Sequence, residues 1–220
     1  MTENWLVNLP MEVSVLPDWS HFFLTWLRKP LDVAALAPSG PWVAAAVAKN
    51  TQLDRDGYVL ELGGGTGSIT EGLLKGGCPV ERLIVIEREP KFVEILRRRF
   101  PGLTVIQGDA TELGKLMAER SITKLASVVS TLPIKWFPVA AQRSIVDQSF
   151  RLMGPGGHFV QITNHMVSPL PRKDLDLAGE EMARIWLSVL PVQVWSYRPL
   201  AEIQDNDAFG GMPADAVAAG

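Results

Sequence analysis

An α/β fold with a mostly parallel seven-stranded sheet, helices on both faces and a closing antiparallel hairpin is predicted by three features of this 220-residue chain. From Tyr58 onward, short runs rich in valine, isoleucine and leucine alternate with helical stretches. That is the pattern of βαβ units with right-handed crossovers. Glycine and proline punctuate most of the junctions. The first apolar run ends in Gly63-Gly64-Gly65-Thr66-Gly67, where such sheets bind ligands.

The first fifty residues differ from the rest and hold four of the seven tryptophans: Trp5, Trp19, Trp26 and Trp42. Asp18 suits the N-cap of a helix from Trp19 to Lys29, which Pro30 ends. Trp19, Phe22, Phe23, Trp26 and Leu27 share one face of it. A second helix spans Pro41 to Asn50, with Pro41 in its first turn. Strand Tyr58–Leu62 follows, then a helix from Ser68 to Lys75 that Gly76-Gly77 stops. Next come strand Arg82–Glu87 and a helix from Pro90 to Phe100. Strand Leu103–Gln107 leads to a helix near Glu112–Glu119, and strand Leu125–Ser130 to a helix from about Pro138 to Met153. Gly154-Pro155-Gly156-Gly157 closes that helix and opens strand His158–Thr163. Ala183 to Leu190 fits a helix or a strand, and its period-two alternation allows the latter. Val192 to Arg198 reads as strand, so with Leu190-Pro191 as a turn the end reads as a hairpin. The expected organisation is an N-terminal amphipathic helix and lid region over 1–50, a ligand-binding domain over 51–204 and a flexible tail over 205–220.

Apolar residues make up 47% of the chain and charged residues 20%, which excludes disordered and fibrous classes. The net charge of −3 argues against a dedicated nucleic-acid binder. One cysteine, Cys78, builds neither an internal disulfide nor a thiolate metal site, and His21, His158 and His165 have no metal-ligand spacing. Met1 to Asp18 lacks the basic start of a secretory signal. The most apolar stretch, Leu31 to Val47, is broken by Asp32, Pro38, Ser39 and Pro41 and is unsuited to span a bilayer. A reducing, intracellular compartment is expected.

The glycine loop discriminates among nucleotide sites. A P-loop needs Lys and Ser/Thr after its last glycine, but Ser68-Ile69 follow Gly67. A dinucleotide loop puts Gly or Ala where Ser68 stands. The pattern Glu-x-Gly-x-Gly-x-Gly is met in full by Glu61, Gly63, Gly65 and Gly67. It resembles the first motif of class I S-adenosylmethionine-dependent methyltransferases. The resemblance implies a Rossmann-like fold with S-adenosylmethionine as cofactor, S-adenosylhomocysteine as product and no metal. It implies that Gly63, Gly65, Thr66 and Gly67 cradle the cofactor, with Glu61 meeting its ammonium directly or through water. Glu87, ending the second strand, would accept both ribose hydroxyls beside Arg88. Asp109 would accept from the adenine amino group, and the Ala110 N–H would meet a ring nitrogen. Ser39 would close over the methionine end, and Ser130 would border it.

The fourth strand ends in Ser130-Thr131-Leu132-Pro133. Enzymes that methylate nucleobase amines commonly carry Asn/Asp-Pro-Pro-aromatic or Asn-Leu-Pro-Tyr there. Here Ser130 replaces the Asn, and Ile134 follows the proline, with Trp136 nearby. The site looks related to that of the ribosomal RNA adenine dimethylases, but altered. From Trp19 to Arg198 the chain resembles the bacterial soluble-type phospholipid N-methyltransferases. The resemblance rests on Phe22-Phe23-Leu24-Thr25-Trp26-Leu27-Arg28-Lys29-Pro30, Ala37-Pro38-Ser39-Gly40, Ser130-Thr131-Leu132-Pro133, Ser168-Pro169-Leu170 and Val194-Trp195-Ser196-Tyr197-Arg198. It departs at Gly63-Gly64, where that family often has Gly-Pro, and at the polar Asn164-His165-Met166.

This second resemblance implies methyl transfer to phosphatidylethanolamine and its mono- and dimethyl derivatives, giving phosphatidylcholine, on the inner face of the cytoplasmic membrane. Trp19, Phe22, Phe23, Trp26 and Leu27 would enter the lipid interface, with Arg28 and Lys29 near anionic headgroups. A helix docked on its own core is the plainer alternative. Ser130, Trp136 and His165 are the candidates for the chemistry. Trp136, Asn164, Arg172 and Lys173 are the candidates for holding the substrate, with Arg172 and Lys173 on the lipid phosphate. The expected partners are an anionic phospholipid surface and a phospholipid substrate, with no nucleic acid, and the expected state is a monomer. Competing readings are an RNA adenine N6-methyltransferase, a small-amine N-methyltransferase and a non-catalytic cofactor-binding module.

Overall fold

In the computed structural model, residues 40–186 and 191–202 are described. The expected helix Trp19–Lys29 with its apolar and basic face, Ser39, the turn at Leu190 and the tail over 205–220 lie outside them. The chain divides into two units, Met1–Ala35 and Leu36–Gly220, and everything described belongs to the second.

The described residues form seven strands: β1 Tyr58–Leu62, β2 Leu83–Glu87, β3 Thr104–Gln107, β4 Leu125–Ser130, β5 His158–Thr163, β6 Leu177–Trp186 and β7 Pro191–Pro199. The helices are α1 Pro41–Asn50, α2 Ser68–Lys75, α3 Pro90–Arg99, α4 Leu113–Ala118 and α5 Val139–Met153. The sheet order is β3-β2-β1-β4-β5-β7-β6. The first five strands are parallel, and β7 runs antiparallel to both β5 and β6.

The parallel strands are apolar throughout because helices cover both of their faces. Val59, Val85, Val129 and Val160 point to the layer containing α1, α2 and α3. Leu60, Ile84, Val128 and Phe159 point to the layer of α4 and α5. Leu60 and Phe159 are fully buried, each worth roughly 1.5–3 kcal/mol. Small residues bring α1 onto α2: a Cβ on Gly72 would lie 2.4 Å from that of Ala44, and one on Gly76 2.5 Å from that of Ala48. That contact fixes α2, whose N-terminus follows the glycine loop.

The sequence boundaries hold to within one or two residues along the parallel part. The final hairpin is a strand pair, as its alternation allowed, but β6 begins at Leu177 rather than near Ala183. The pairing register slips between Glu181 and Ala183, which breaks the period-two signal. As an edge strand, β6 also carries charge, with Arg184 forked onto Glu181 at 2.7 Å through both oxygens.

Candidate active site

Because β1 to β5 are parallel, the loops that follow them leave the sheet on one edge. The chain order reverses between β1 and β4, the place where sheets of this kind bind their ligands. The C-terminal ends of β1, β2, β3, β4 and β5 and the loops after them carry the expected site residues Gly63–Gly67, Glu87–Arg88, Asp109–Ala110, Ser130 and Asn164–His165, so one edge collects them.

The glycine loop uses the left-handed region at Gly63 (φ 84°), Gly65 (φ 52°) and Gly67 (φ 88°), which side chains disfavour. The loop is strapped from both sides. On one side the Gly65 N–H donates to Glu87 Oε2 at 2.9 Å. On the other, the Thr131 N–H donates to the Leu62 carbonyl at 3.0 Å and its hydroxyl donates to the Gly63 carbonyl. A Cβ on Gly64 would sit 2.4 Å from Val85 Cγ1, so this residue is packed down on β2. A Cβ on Gly65 would meet nothing within 4 Å, so the crest of the loop faces open space.

Glu61 points from β1 toward α2 and is fully buried. Thr70 on α2 donates its hydroxyl to Oε2 at 2.7 Å, and Oε1 has no partner. Burial pushes the carboxyl up to about 8, with the Thr70 bond pulling it down and the nearby Glu87 pushing it further up. Glu87 is also displaced upward by burial, opposed by the backbone N–H groups of Glu89, Gly65 and Arg88. Asp109 divides its oxygens. Oδ1 accepts from the N–H and the hydroxyl of Thr111, capping a 3-10 turn over Ala110–Glu112. Oδ2 lies 3.8 Å from Arg88 Nη1.

At the end of β4, Ser130 is buried with its Oγ unpartnered. Beyond it, a 3-10 turn over Ile134–Trp136 presents Trp136, which is 55% exposed. Its ring meets the His165 ring edge-on at 5.7 Å. Lys135 Nζ is 3.5 Å from His165 Nδ1. Burial, with a contribution from the Lys135 charge, lowers the His165 pKa below its usual 6.5, so the imidazole is neutral at pH 7. Asn164 stands beside it, half-buried. Arg172 is held elsewhere, its guanidinium donating to the Gly179 carbonyl of β6 at 3.0 Å, and Lys173 is exposed.

Sequence reasoning missed two supports. Thr70, one turn into α2, fixes Glu61. Gln161 of β5 donates its Nε2 to the Leu132 carbonyl at 3.0 Å. A glutamine in the apolar run His158–Thr163 was the available signal for the second.

The residues present suit S-adenosylmethionine. Glu61 Oε1 and Ser130 Oγ are buried acceptors without partners, and the Gly65 crest leaves room for a ligand. Among the described residues no group of three or more His, Cys, Asp or Glu side chains can hold a metal ion.

Comparison with known proteins agrees with this geometry. The family described as "Methyltransferase domain" matches residues 59–157. The chain is 34% identical over 151 residues to the ornithine lipid N-methyltransferase of Singulisphaera acidiphila, covering 67% of this chain and 79% of that protein. It is 30% identical over 138 residues to a probable ribosomal RNA small subunit methyltransferase A of Natronomonas pharaonis, covering 53% of this chain and 48% of that one. The chain thus spans about half of that second relative's length. Among solved structures, an O-methyltransferase from Bacillus cereus in complex with S-adenosylhomocysteine superposes with a TM-score of 0.57 at 12% identity. The match covers 84% of this chain and 92% of that one and is a likeness of fold.

Proposed function

The chain belongs to the class I S-adenosylmethionine-dependent methyltransferases, and from that premise we propose that it methylates the amine of a membrane lipid headgroup. The substrates are phosphatidylethanolamine and its mono- and dimethyl derivatives, and the end product is phosphatidylcholine. The observation that carries this reading is the 34% identical relative, an enzyme named for N-methylation of a lipid. That relative's name also favours a second reading, in which the headgroup is that of an ornithine lipid. Both present an amine to the same site.

Glu61 would hold the cofactor's ammonium, Glu87 its ribose hydroxyls and Asp109 Oδ2 its adenine amino group. When bound, S-adenosylmethionine supplies an electrophilic methyl group on a sulfonium. The chain's part is to bring the amine in line and to keep water out. The amine must arrive unprotonated, and neutral His165 would take its proton. Trp136 offers its face to the growing headgroup cation. Exposed Trp136, Val139, Met166 and Val167 lie on the loops and helix start beyond β4 and β5, with Lys135 among them. Such a rim suits an anionic lipid surface. Among the described residues no helix is long and apolar enough to cross a membrane.

An RNA adenine substrate is disfavoured by the net charge of −3 and by Ser130 in place of an amide clamp. The test is transfer of labelled methyl groups to vesicles of phosphatidylethanolamine, vesicles of ornithine lipid and ribosomal RNA, with products resolved by chromatography. Label in methylated lipid supports the proposal. Label in RNA alone overturns it.

A further inference from the structure

Three side-chain polar atoms of the described chain are buried without partners on the neighbouring strands β4, β5 and β7: Ser130 Oγ, Gln161 Oε1 and Gln193 Nε2. Ser130 pairs directly with Gln161 across the parallel ladder, so both side chains stand on one face of the sheet. Thr163 pairs with Gln193 on that same face, toward the ligand edge. The Gln161 amide is oriented by its nitrogen, which donates to the carbonyls of Leu132 and Ile162 at 3.0 and 2.8 Å. Its oxygen is thereby fixed as a bare acceptor beside the Ser130 hydroxyl. Gln193 Oε1 is taken by the Trp195 indole N–H at 2.9 Å, which leaves its amide nitrogen as a donor.

An unpartnered buried polar group costs about 1–3 kcal/mol, so three on adjacent strands at the ligand edge call for an explanation. We infer that Ser130 and Gln161 form the subsite for the reacting amine, accepting its N–H groups and so aiming its lone pair, while Gln193 donates to the nearest oxygen of the headgroup. This inference rests on the lipid-amine reading. It also accounts for the serine at the end of β4. The amide carbonyl that an asparagine would supply from that loop comes instead from the next strand. As the amine attacks, its nitrogen becomes cationic, and its bonds to both acceptors strengthen.

The inference makes a prediction that a purely structural role for Gln161 does not. A primary amine has two N–H bonds to offer, a monomethylated amine one and a dimethylated amine none. The subsite should therefore serve the first two transfers and be idle in the third. Detergent dispersions of phosphatidylethanolamine and of its mono- and dimethyl derivatives are the probes, with kcat/KM measured for Gln161→Met and Ser130→Ala. The expected result is a fall of about 10- to 100-fold for both variants on the unmethylated lipid, a like fall for at least one of them on the monomethyl lipid, and little change for either on the dimethyl lipid. Ser130→Ala removes one unpartnered oxygen and disturbs no contact, so it remains informative if Gln161→Met folds poorly. An equal fall on all three lipids, or no fall on any, overturns the inference. Wild-type protein that labels none of the three, nor ornithine lipid dispersed in the same detergent, overturns the lipid-amine reading, and the subsite with it.

Discussion

Replacing Glu61 by glutamine should stabilise the ligand-free protein at neutral and alkaline pH while weakening cofactor binding. Glu61 is fully buried and held by Thr70, whose hydroxyl donates to it and can turn to accept from an amide. Burial raises its pKa from 4.5 to about 8, so between those values the folded chain holds a proton that the unfolded chain has released. Stability must then fall as pH rises through that window. At about 1.36 kcal/mol per pH unit, the whole displacement is of order 5 kcal/mol, of which about 4 falls above pH 5. Glutamine carries no such proton and removes the slope. Urea unfolding of both proteins from pH 5 to pH 8.5 should show the curves diverging, with the variant gaining up to about 4 kcal/mol relative to wild type. The same proton must leave when the cofactor's ammonium meets the carboxylate. Titration calorimetry with S-adenosylhomocysteine near pH 7, in buffers of different ionisation enthalpy, should therefore register close to one proton released by wild type and none by the variant. Parallel stability curves and no proton release would refute the reasoning, because Glu61 would then be ionised in the free protein.

Three further outcomes follow from the geometry. Gly64→Ala puts a Cβ 2.4 Å from Val85 Cγ1 and 2.8 Å from Leu96 Cδ1, both inside the packed core. Calorimetric melting should show a loss of about 1–3 kcal/mol, and an unchanged melting temperature would contradict the packing. If neutral His165 takes the amine proton, the rate should fall on the acid side as the ring becomes charged. Its lowered pKa puts that limb below 6.5, and the pH profile of His165→Gln should lack it. The folded chain also resists protonating this ring, so it contributes a stability loss as pH falls through 6.5. Met166→Ser with Val167→Ser should leave activity on detergent-dispersed lipid intact while reducing sedimentation with anionic vesicles severalfold. Equal vesicle binding by the double variant would remove the rim from the docking surface.

The parallel part of the fold was legible because its boundaries are written in residues with strong backbone preferences. Pro41 and Pro90 open helices, Gly76-Gly77 and Gly154 end them, and the strands between are apolar on both faces. The start of β6 was not, since its register slip near Met182 and its one covered face dilute the alternation. Among the cofactor candidates, the glycine loop, Glu87 and Asp109 could be placed from spacing, because loops after parallel strands share one edge. The straps that hold the loop were less visible. Thr131 reaches back across the sheet to Gly63, and Thr70 reaches down from α2 to Glu61, and neither spacing is a repeating one. Arg172 could be picked out as a basic residue after a proline, but its reach to the Gly179 carbonyl of β6 could not be read from the sequence. Gln161 was readable as an anomaly, a buried amide in an apolar strand, but its pairing with Ser130 needed the register.

The most direct test is a comparison of total lipid from a bacterial host that makes both phosphatidylethanolamine and ornithine lipid with unmethylated amines, expressing either this chain or its Glu87→Ala variant. Mass spectrometry of the extracts should find mono-, di- and trimethylated headgroups with the wild-type chain and none with the variant. Unchanged lipids, alongside wild-type protein that is folded and binds S-adenosylhomocysteine, would contradict the assignment of a lipid amine as the methyl acceptor.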